Sequence, residues 1–257
     1  MKIAFCLFKY SPYSGLSLDF LRILEECLNR GHNAHVFVSE WRGERPEGVQ
    51  FMVLKPPKIS LKFSNHAQNE QFYNKLQAEL KKQAFDVVVG FNKMPGLDLY
   101  YGADSCYVGD KVPQYPAIYK MTRRYKGRYS FEEAVFGVKS QTLILSLSEQ
   151  QKSEYQEHYF TPNERFHLLP PTLDRSFSPI TDRAHQREKL RVELDLPINN
   201  LLLLFIGSGF RTKGLVRAIN ALASLPIDLQ EHTSLIVVGD DDDEIQYRKL
   251  ADRLSVS

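Results

Sequence analysis

The stretch "KIAFCLFKYSPYSGLSLDFLRILEECLNRGHNAHVFVS", residues 2–39, decides the fold class. It begins and ends with short apolar runs that have strand chemistry, and residues 16–29 between them have helical spacing. The pattern continues with "VQFMVL", with a predicted helix over 66–83 before "DVVVGF", and with "TLILSLS" before a predicted helix over 149–157. Continuous apolar strands joined by helices bury both faces of a sheet. The sequence therefore predicts an α/β fold with a parallel, doubly wound, Rossmann-like sheet.

The alternation is interrupted by "LLPPTLDRSFSPITDR", which contains three prolines. We therefore predict an N-terminal domain over 1–170, a linker over 171–183 and a second domain over 184–257. The second domain repeats the pattern with helices over 184–194, 214–224 and 243–254 and with the strands "LLLLFIG" and "SLIVVG". Two strands do not make a sheet with covered faces and edges. We expect this domain to be incomplete, either because the chain is a fragment or because it packs against a partner.

The composition is that of a soluble globular protein. Hydrophobic residues make up 43% of the chain and charged residues 25%. The three cysteines are widely spaced in apolar stretches, which predicts a reduced, cytoplasmic setting. No apolar run approaches the roughly 18 residues that span a bilayer. The net charge of +2 gives no global field for nucleic acid, so a nucleic-acid partner is not expected.

The segment "FIGSGFRTKG", residues 205–214, lies between a predicted strand and a predicted helix. It matches neither the P-loop pattern nor GxGxxG. Gly207 allows backbone to approach a ligand, and Arg211 and Lys213 supply positive charge near a helix N-terminus. This chemistry suits a diphosphate. The alternative is a solvated turn whose charges face water.

Two further loops follow predicted strands, where ligands of open α/β sheets bind. In the first, Gly15 precedes a helix and Asp19 lies one turn inside it, so Asp19 either contacts a ligand or only complements the helix dipole. The second, "GFNKMPGLDLYYGADSCY", concentrates polar groups typical of a binding loop, although a capped turn with solvated aspartates explains them too. These polar groups are Asn92, Lys93, Asp98 and Asp104.

The segment "PQYPAIYKMTRRYKGRY", residues 113–129, combines aromatic and basic side chains. Placed on one helix, its tyrosines cluster on one side and its basic residues lie opposite, with Pro116 in the first turn and Gly127 ending or bending the helix. We interpret it as a reversible anchor to an anionic membrane surface. The alternatives are packing against its own domain and, less favoured, nucleic-acid binding. The proposed membrane-binding residues are Tyr115, Tyr119, Lys120, Arg123, Arg124, Tyr125, Lys126 and Arg128.

The acidic run "GDDDDE", residues 239–244, has residue types that bind Mg²⁺. Its place between a strand and a helix favours helix capping instead. The histidines have no metal-binding spacing, and no GxSxG motif is present. No metal site is predicted.

Five stretches together resemble the lipopolysaccharide core glucosyltransferase I family of Gram-negative bacteria, within glycosyltransferase family 4. They are "AFCLFKYSPYSGLSLDF", "RGHNAHVF", "VVGFNKMPGLDLYY", "ERFHLLPP" and "AINALASLP". The resemblance implies two Rossmann-like domains of the GT-B type, the second binding UDP-glucose. It also implies transfer of glucose, with retention and without a metal or other cofactor, to a heptose of the lipopolysaccharide inner core. A basic, aromatic segment would hold such an enzyme on the cytoplasmic face of the inner membrane.

Within this resemblance, Gly15 and Lys213 match positions near the donor phosphates, and Asp19 matches an acidic residue beside the reacting sugar. The chain departs from the family at three motifs, one of which is "LPPTL" in place of "LPPGI" at 169–173. Gly-Gly-Leu is replaced by Ser-Gly-Leu at 14–16, and Arg-Lys-Gly by Thr-Lys-Gly at 212–214, with the arginine at Arg211. Family members continue into an acidic E-x₇-E stretch that holds the donor sugar, and this chain ends before it. The alternative function is therefore a truncated, non-catalytic protein that binds the membrane surface.

Overall fold

The computed structural model describes residues 1–12, 14–55, 65–171, 181–207, 209–239, 241 and 243–256. It contains two compact units, Met1–Thr172 and Leu173–Ser257. Most of the predicted linker, residues 172–180, lies outside the described residues.

The first unit is built on a parallel sheet of seven strands. Its strands are β1 (Lys2–Tyr10), β2 (Asn33–Trp41), β3 (Gln50–Val53), β4 (Val87–Gly90), β5 (Leu99–Gly102), β6 (Leu143–Ser146) and β7 (Phe166–Leu168). Their order in the sheet is β3-β2-β1-β4-β5-β6-β7, and every neighbouring pair is parallel. The chain extends the sheet to one side of β1 and then crosses to the other side at β4. The predicted parallel, doubly wound sheet is therefore confirmed.

Helices cover both faces of this sheet. They are α1 (Gly15–Asn29), α2 (Asn65–Leu80), α3 (Arg123–Phe136) and α4 (Glu149–Tyr159). Alternate residues of β1 enter different cores, since Phe5 packs with Phe20 and Leu24 of α1, whereas Cys6 packs in a second cluster with residues of α2, α3 and α4. Full burial of a side chain such as Phe20 contributes about 1.5–3 kcal/mol. Apolar burial on both faces therefore explains the nearly continuous apolar strands.

The prediction of one helix over 113–129 is wrong. Two 3₁₀ turns, Val112–Gln114 and Ala117–Met121, precede α3. The α3 helix begins at Arg123 because the Thr122 hydroxyl accepts a hydrogen bond from the backbone N–H of Tyr125 at 3.1 Å. Gly127 does not end the helix; it is buried within α3.

Arg165 fixes the end of α3. Its guanidinium group donates hydrogen bonds to the backbone oxygens of Val135 and Gly137, the latter at 2.9 Å, and to that of Thr142 at 2.9 Å. The carbonyl groups at the end of a helix have no partner within the helix. A buried arginine supplies these partners, which fixes the position of α3 against the sheet.

In the described part of the second unit, two strands pair in parallel, β8 (Leu201–Ile206) and β9 (Thr233–Val238). Its helices are α5 (Arg183–Glu193), α6 (Phe210–Lys213), α7 (Leu215–Ala223), α8 (Ile227–Gln230) and α9 (Glu244–Arg253). The pattern predicted α5, α7 and α9 but not the single turns α6 and α8. The core of this unit forms around Phe210, Leu215 and Ile219.

Candidate functional site

The loop after β8 is tightly folded. Gly207, Gly209 and Gly214 all have positive φ angles, of 146°, 71° and 85°. Residues other than glycine rarely adopt these backbone conformations. The short helix α6 lies between the last two of these glycines, so Arg211 and Lys213 lie within an ordered turn before α7.

This loop is fixed on two sides. Phe210 is 3% exposed and packs in the core of the second unit, while its backbone N–H donates to the Asp241 carboxylate at 2.7 Å. The N–H of Gly207 donates to the backbone oxygen of Val238 at 2.9 Å. The loops that follow β8 and β9 therefore hold each other in place.

Arg211 and Lys213 are exposed, and in the described part of the chain neither has a carboxylate within ion-pair distance. The stem of Lys213 folds back over Gly207, since a Cβ at Gly207 would lie 3.4 Å from Lys213 Cγ. Two exposed cations beside a glycine loop have the chemistry of an anion site.

The acidic run partly contradicts the capping prediction. Asp243 occupies the N-cap position of α9, but its side chain accepts no bond from the backbone of that helix. Its Oδ1 accepts from the side chain of Gln246 at 3.0 Å instead. Asp241 holds the neighbouring glycine loop, and Asp240 and Asp242 lie outside the described residues. Among the described residues, no three His, Cys, Asp or Glu side chains group as metal ligands would.

In the first unit, Gly15 and Asp19 lie at the start of α1. Among the residues that the structure describes, nothing lies within 4 Å of the position that a Cβ at Gly15 would take, so this glycine leaves open space. The Asp19 carboxylate accepts a hydrogen bond from Tyr101 Oη at 2.8 Å and lies 3.5 Å from Arg22 Nη1. Desolvation and then the bond to Asp19 raise the pKa of Tyr101, so the tyrosine remains a donor. Asp19 is therefore a carboxylate with a fixed orientation.

The four predicted residues of the 90–107 loop do not lie together. Asn92, Lys93 and Asp104 follow the carboxyl ends of β4 and β5, and Asn92 Oδ1 accepts from the N–H of Phe8 at 2.8 Å. Asp98 lies at the opposite edge, where its carboxylate accepts from the N–H of Val88 at 2.8 Å. Asp98 therefore braces the start of β4 and does not belong to the binding loop.

Asn92, Lys93 and Asp104 line a pocket of about 310 Å³ within the first unit. We call it the switch pocket. Desolvation raises the pKa of Asp104 and the nearby Glu132 raises it further, whereas Lys93 opposes the rise. The lining residues are the aromatic Phe8, Tyr107 and Phe131, the polar Asn69, Asn92 and Ser105, and the charged Lys93, Asp104, Lys111, Arg128 and Glu132.

Glu132 is the main residue that sequence reasoning missed. Its side chain is 0% exposed and pairs with Lys93, which also donates to the backbone oxygen of Ser105 at 2.7 Å. The same carboxylate accepts from the N–H of Tyr107 at 2.9 Å and from Tyr159 Oη at 2.7 Å. Desolvation and then Glu132 raise the pKa of Cys106 to about 12. One buried carboxylate thus fixes the lysine and the backbone on one side of the pocket.

A signal for Glu132 was present in the sequence. It lies three and four residues before Val135 and Phe136, which places all three on one helix face. Val135 and Phe136 are fully buried. A charged residue on an apolar face is buried only when it is paired, so this position pointed to a partner elsewhere in the chain.

The tyrosines of the predicted membrane segment pack on one another and on their own unit. Tyr115 and Tyr119 stack with ring centroids 4.2 Å apart, and Tyr119 Oη lies 2.8 Å from Tyr107 Oη. Tyr125 packs against both Tyr119 and Tyr129, with centroid distances of 6.0 and 5.7 Å. The alternative of packing on the same domain is therefore observed for these rings.

The surface of this segment still combines apolar and basic groups. Ile118 and Met121 are 72% and 75% exposed. The basic residues at 120, 123, 124 and 126 are exposed as well. Arg128 differs because it is partly buried, with its guanidinium carbon 5.6 Å from the centre of the Tyr107 ring. None of the helices that the structure describes is long and apolar enough to cross a bilayer.

Comparison with known proteins places these features in a family. The chain is 40% identical over 258 residues to the lipopolysaccharide glucosyltransferase WaaG of Escherichia coli K12, covering all of this chain and 67% of that protein. A 116-residue stretch is 33% identical to a D-inositol 3-phosphate glycosyltransferase of Xylanimonas cellulosilytica, covering 44% of this chain and 26% of the relative. No family model matches the chain.

Comparison with solved structures agrees with the sequence comparison. The crystal structure of WaaG matches with a TM-score of 0.91 and 38% identity, covering 99% of this chain and 67% of that one. The trehalose-6-phosphate synthase OtsA, at 13% identity, matches with a TM-score of 0.58 over 99% of this chain and 69% of its own, and shares the fold alone. The predicted GT-B fold class is therefore confirmed. From its identity and coverage, the chain belongs to the family of the lipopolysaccharide glucosyltransferase WaaG.

Proposed function

We propose that the chain forms the acceptor-binding unit and part of the donor-binding unit of a retaining glucosyltransferase. The enzyme would move glucose from UDP-glucose to a heptose of the lipopolysaccharide inner core. Family membership supports the reaction class. The observation that supports UDP-glucose as the donor is the glycine loop of the second unit. On this loop Arg211 and Lys213 are exposed and lack carboxylate partners in the described chain.

In this proposal, the loop stabilises the leaving group. Negative charge accumulates on the diphosphate as its bond to glucose breaks, and Arg211 and Lys213 would neutralise that charge without a metal ion or other cofactor. Gly207 leaves room for the Lys213 stem to fold over the loop. The hydrogen bond from Phe210 to Asp241 holds the loop before the donor arrives, so little reorganisation is needed.

We propose that Asp19 acts on the sugar and that Gly15 leaves room for a ligand at the start of α1. A carboxylate can accept a hydrogen bond from a sugar hydroxyl and stabilise positive charge that develops on the ring. The hydrogen bond from Tyr101 fixes the orientation of this carboxylate. We assign acceptor binding to the switch pocket, which Asn92, Lys93 and Asp104 line.

The donor assignment is tested by Lys213→Ala in the full-length protein. Loss of one charge-assisted contact of about 1.5–3 kcal/mol predicts UDP affinity lower by roughly 10- to 100-fold in titration calorimetry. Lys189→Ala is the matched control, since Lys189 is an exposed lysine of α5 that lies 3.8 Å from Glu193. Unchanged UDP affinity in Lys213→Ala would exclude this role.

We further propose that the enzyme is peripheral on the cytoplasmic face of the inner membrane. The exposed Ile118 and Met121 can enter the lipid interface while Lys120, Arg123, Arg124 and Lys126 contact anionic headgroups. Replacing Arg123 and Arg124 by Glu should abolish sedimentation with phosphatidylglycerol vesicles. Equal sedimentation of the variant and the parent protein would reject the anchor. Vesicles of phosphatidylcholine, which carry no net charge, are the control.

The same exposed patch supports a second candidate function, a membrane-surface binding protein without activity. The two candidates are distinguished by turnover. Transfer of labelled glucose from UDP-glucose to a lipopolysaccharide core acceptor by the 257-residue chain would establish the enzyme. Vesicle binding with no transfer, when the full-length relative transfers under the same conditions, would favour the second candidate.

A further inference from the structure

The switch pocket lies where an open α/β sheet binds its ligands. Phe8 is near the carboxyl end of β1, and Asn92 and Lys93 follow the carboxyl end of β4. The chain extends the sheet to one side from β1 and to the other from β4, so the crevice between these two ends is the topological switch point. A volume of about 310 Å³ is at the lower end of the range of small-molecule sites, about 300–1,000 Å³, and suits one sugar unit.

Two of the cations that line this pocket already have partners. Lys93 is paired with Glu132. Lys111 Nζ lies 2.9 Å from the Asp110 carboxylate, and this contact lowers the pKa of Asp110. In the described part of the chain, Arg128 has no carboxylate within ion-pair distance. Arg128 is therefore the lining cation whose charge remains available to a ligand.

The orientation of Arg128 also leaves its donors available. Its guanidinium carbon lies 5.6 Å from the centre of the Tyr107 ring. Tyr107 is itself held by the bond from its N–H to Glu132 and by the hydrogen bond between its hydroxyl and that of Tyr119. A cation above an aromatic face is attracted by the ring without using its N–H groups. These N–H groups form a planar fork that matches the two oxygens of a carboxylate or phosphate.

We propose that the switch pocket binds an acidic sugar whose oxyanion pairs with Arg128. Asn69, Asn92 and Ser105 would bond the sugar hydroxyls, and Phe8 and Phe131 would contact its apolar face. This inference rests on the proposed function in one respect, since it takes the pocket as part of the acceptor site. It removes Arg128 from the membrane-binding residues predicted from the sequence and makes it a specificity-determining residue. The oxyanion is either a carboxylate or a phosphate.

The test uses three sugars that differ only at C6, namely glucose, glucuronate and glucose 6-phosphate, in ligand-detected NMR titrations of the full chain. At least one acidic sugar should bind about tenfold or more tightly than glucose, and Arg128→Gln should abolish the difference. Preference for glucuronate alone indicates a carboxylate, and preference for glucose 6-phosphate alone indicates a phosphate. Equal binding of all three sugars, or a preference that survives in Arg128→Gln, overturns the proposal.

Three controls keep the test specific. Arg30→Gln removes an exposed arginine of α1 that pairs with Glu26, and the preference should survive. Arg128→Lys keeps the charge but loses the planar fork, so an intermediate preference is expected if Arg128→Gln does not fold. Arg128→Gln should still sediment with phosphatidylglycerol vesicles. Loss of vesicle binding with no sugar preference would make a lipid headgroup the anion and overturn the proposal.

The outcome is separable from that of the proposed function. UDP binding by the Lys213 loop is measured in the same samples. A preference for acidic sugars without UDP binding leaves the pocket in place and rejects the donor assignment. UDP binding without such a preference rejects the pocket alone.

Discussion

Glu132 is a single residue that determines both the stability of the first unit and the geometry of the switch pocket. It is fully buried and paired with Lys93. Removing one partner of a buried ion pair leaves the other charge unpaired, which costs about 3–5 kcal/mol. We therefore expect Glu132→Ala to lower the free energy of unfolding of the first unit by that amount.

The measurement is urea denaturation followed by the fluorescence of Trp41, the single tryptophan, which lies in β2 of the first unit. Glu133→Ala is the matched control because Glu133 is the next residue and is exposed. Its effect should stay within about 0.5 kcal/mol. Equal effects of the two substitutions would contradict the role given to Glu132.

His35 should make the first unit less stable in mild acid. It is 5% exposed, and burial followed by the charge of Lys2 lowers its pKa below 6.5. Below about pH 6.5, His35 therefore binds a proton more readily in the unfolded chain than in the folded chain. This contribution to stability is complete above that pH and decreases as the pH falls below it. Urea denaturation at about pH 7.5 and about pH 5.5 measures the loss.

His35→Gln should reduce that loss because no group at this position then takes up a proton on unfolding. His167→Gln, at an exposed position of β7, should retain it. A loss of the same size in His35→Gln and in the parent protein would refute the assignment.

At the scale of secondary-structure elements, the loops after β8 and β9 contact each other. A substitution at this contact tests directly whether it holds the two loops in position. Gly239 has a φ of 155°, and a Cβ there would lie 2.2 Å from the backbone oxygen of Gly207. Gly239→Ala should therefore push the two loops apart, destabilise the second unit by about 1–3 kcal/mol and lower its affinity for UDP. Thermal unfolding and titration calorimetry measure these two effects.

Gly209→Ala is the comparison within the same loop. Its φ is also positive, at 71°, but no atom of the described chain lies within 4 Å of its Cβ position. Only the conformational cost remains, about 1–2 kcal/mol. A loss of UDP affinity as large as that of Gly239→Ala would show that the collision with Gly207 is not the cause.

On the scale of the whole molecule, donor binding should stabilise the two units unequally. Arg211 and Lys213 both belong to the second unit. A ligand at a hundredfold excess over its Kd stabilises the state that binds it by about 2.7 kcal/mol. We expect UDP to raise the unfolding temperature of the second unit more than that of the first in scanning calorimetry. Trp41 fluorescence identifies the transition of the first unit, and a larger shift of that transition would contradict the donor assignment.

The sheet could be predicted because the patterns that indicate it are local in the sequence: apolar runs and helical spacing recur along the chain. The glycine loop was found for the same reason. Asp98 was misplaced because it is close in sequence to Asn92, although a chain that enters the next parallel strand must first return to the opposite edge of the sheet. Glu132 was missed because its partner Lys93 is 39 residues away. The predicted helix over 113–129 begins too early. Its spacing of tyrosines and basic residues is helical throughout, but the Thr122 side chain caps the helix, so that α3 begins only at Arg123.

The N-cap of α3 at Thr122 also predicts where the chain can change in length. Residues 115–121 precede the helix, so insertions or deletions there leave its rotation unaltered. One residue inserted between Thr122 and Arg128 would rotate the preceding turn by about 100° relative to the rest of α3. It would separate the cap from the side chains that reach the pocket. Variation in length should therefore disturb α3 less when it lies in residues 115–121 than when it lies inside the helix.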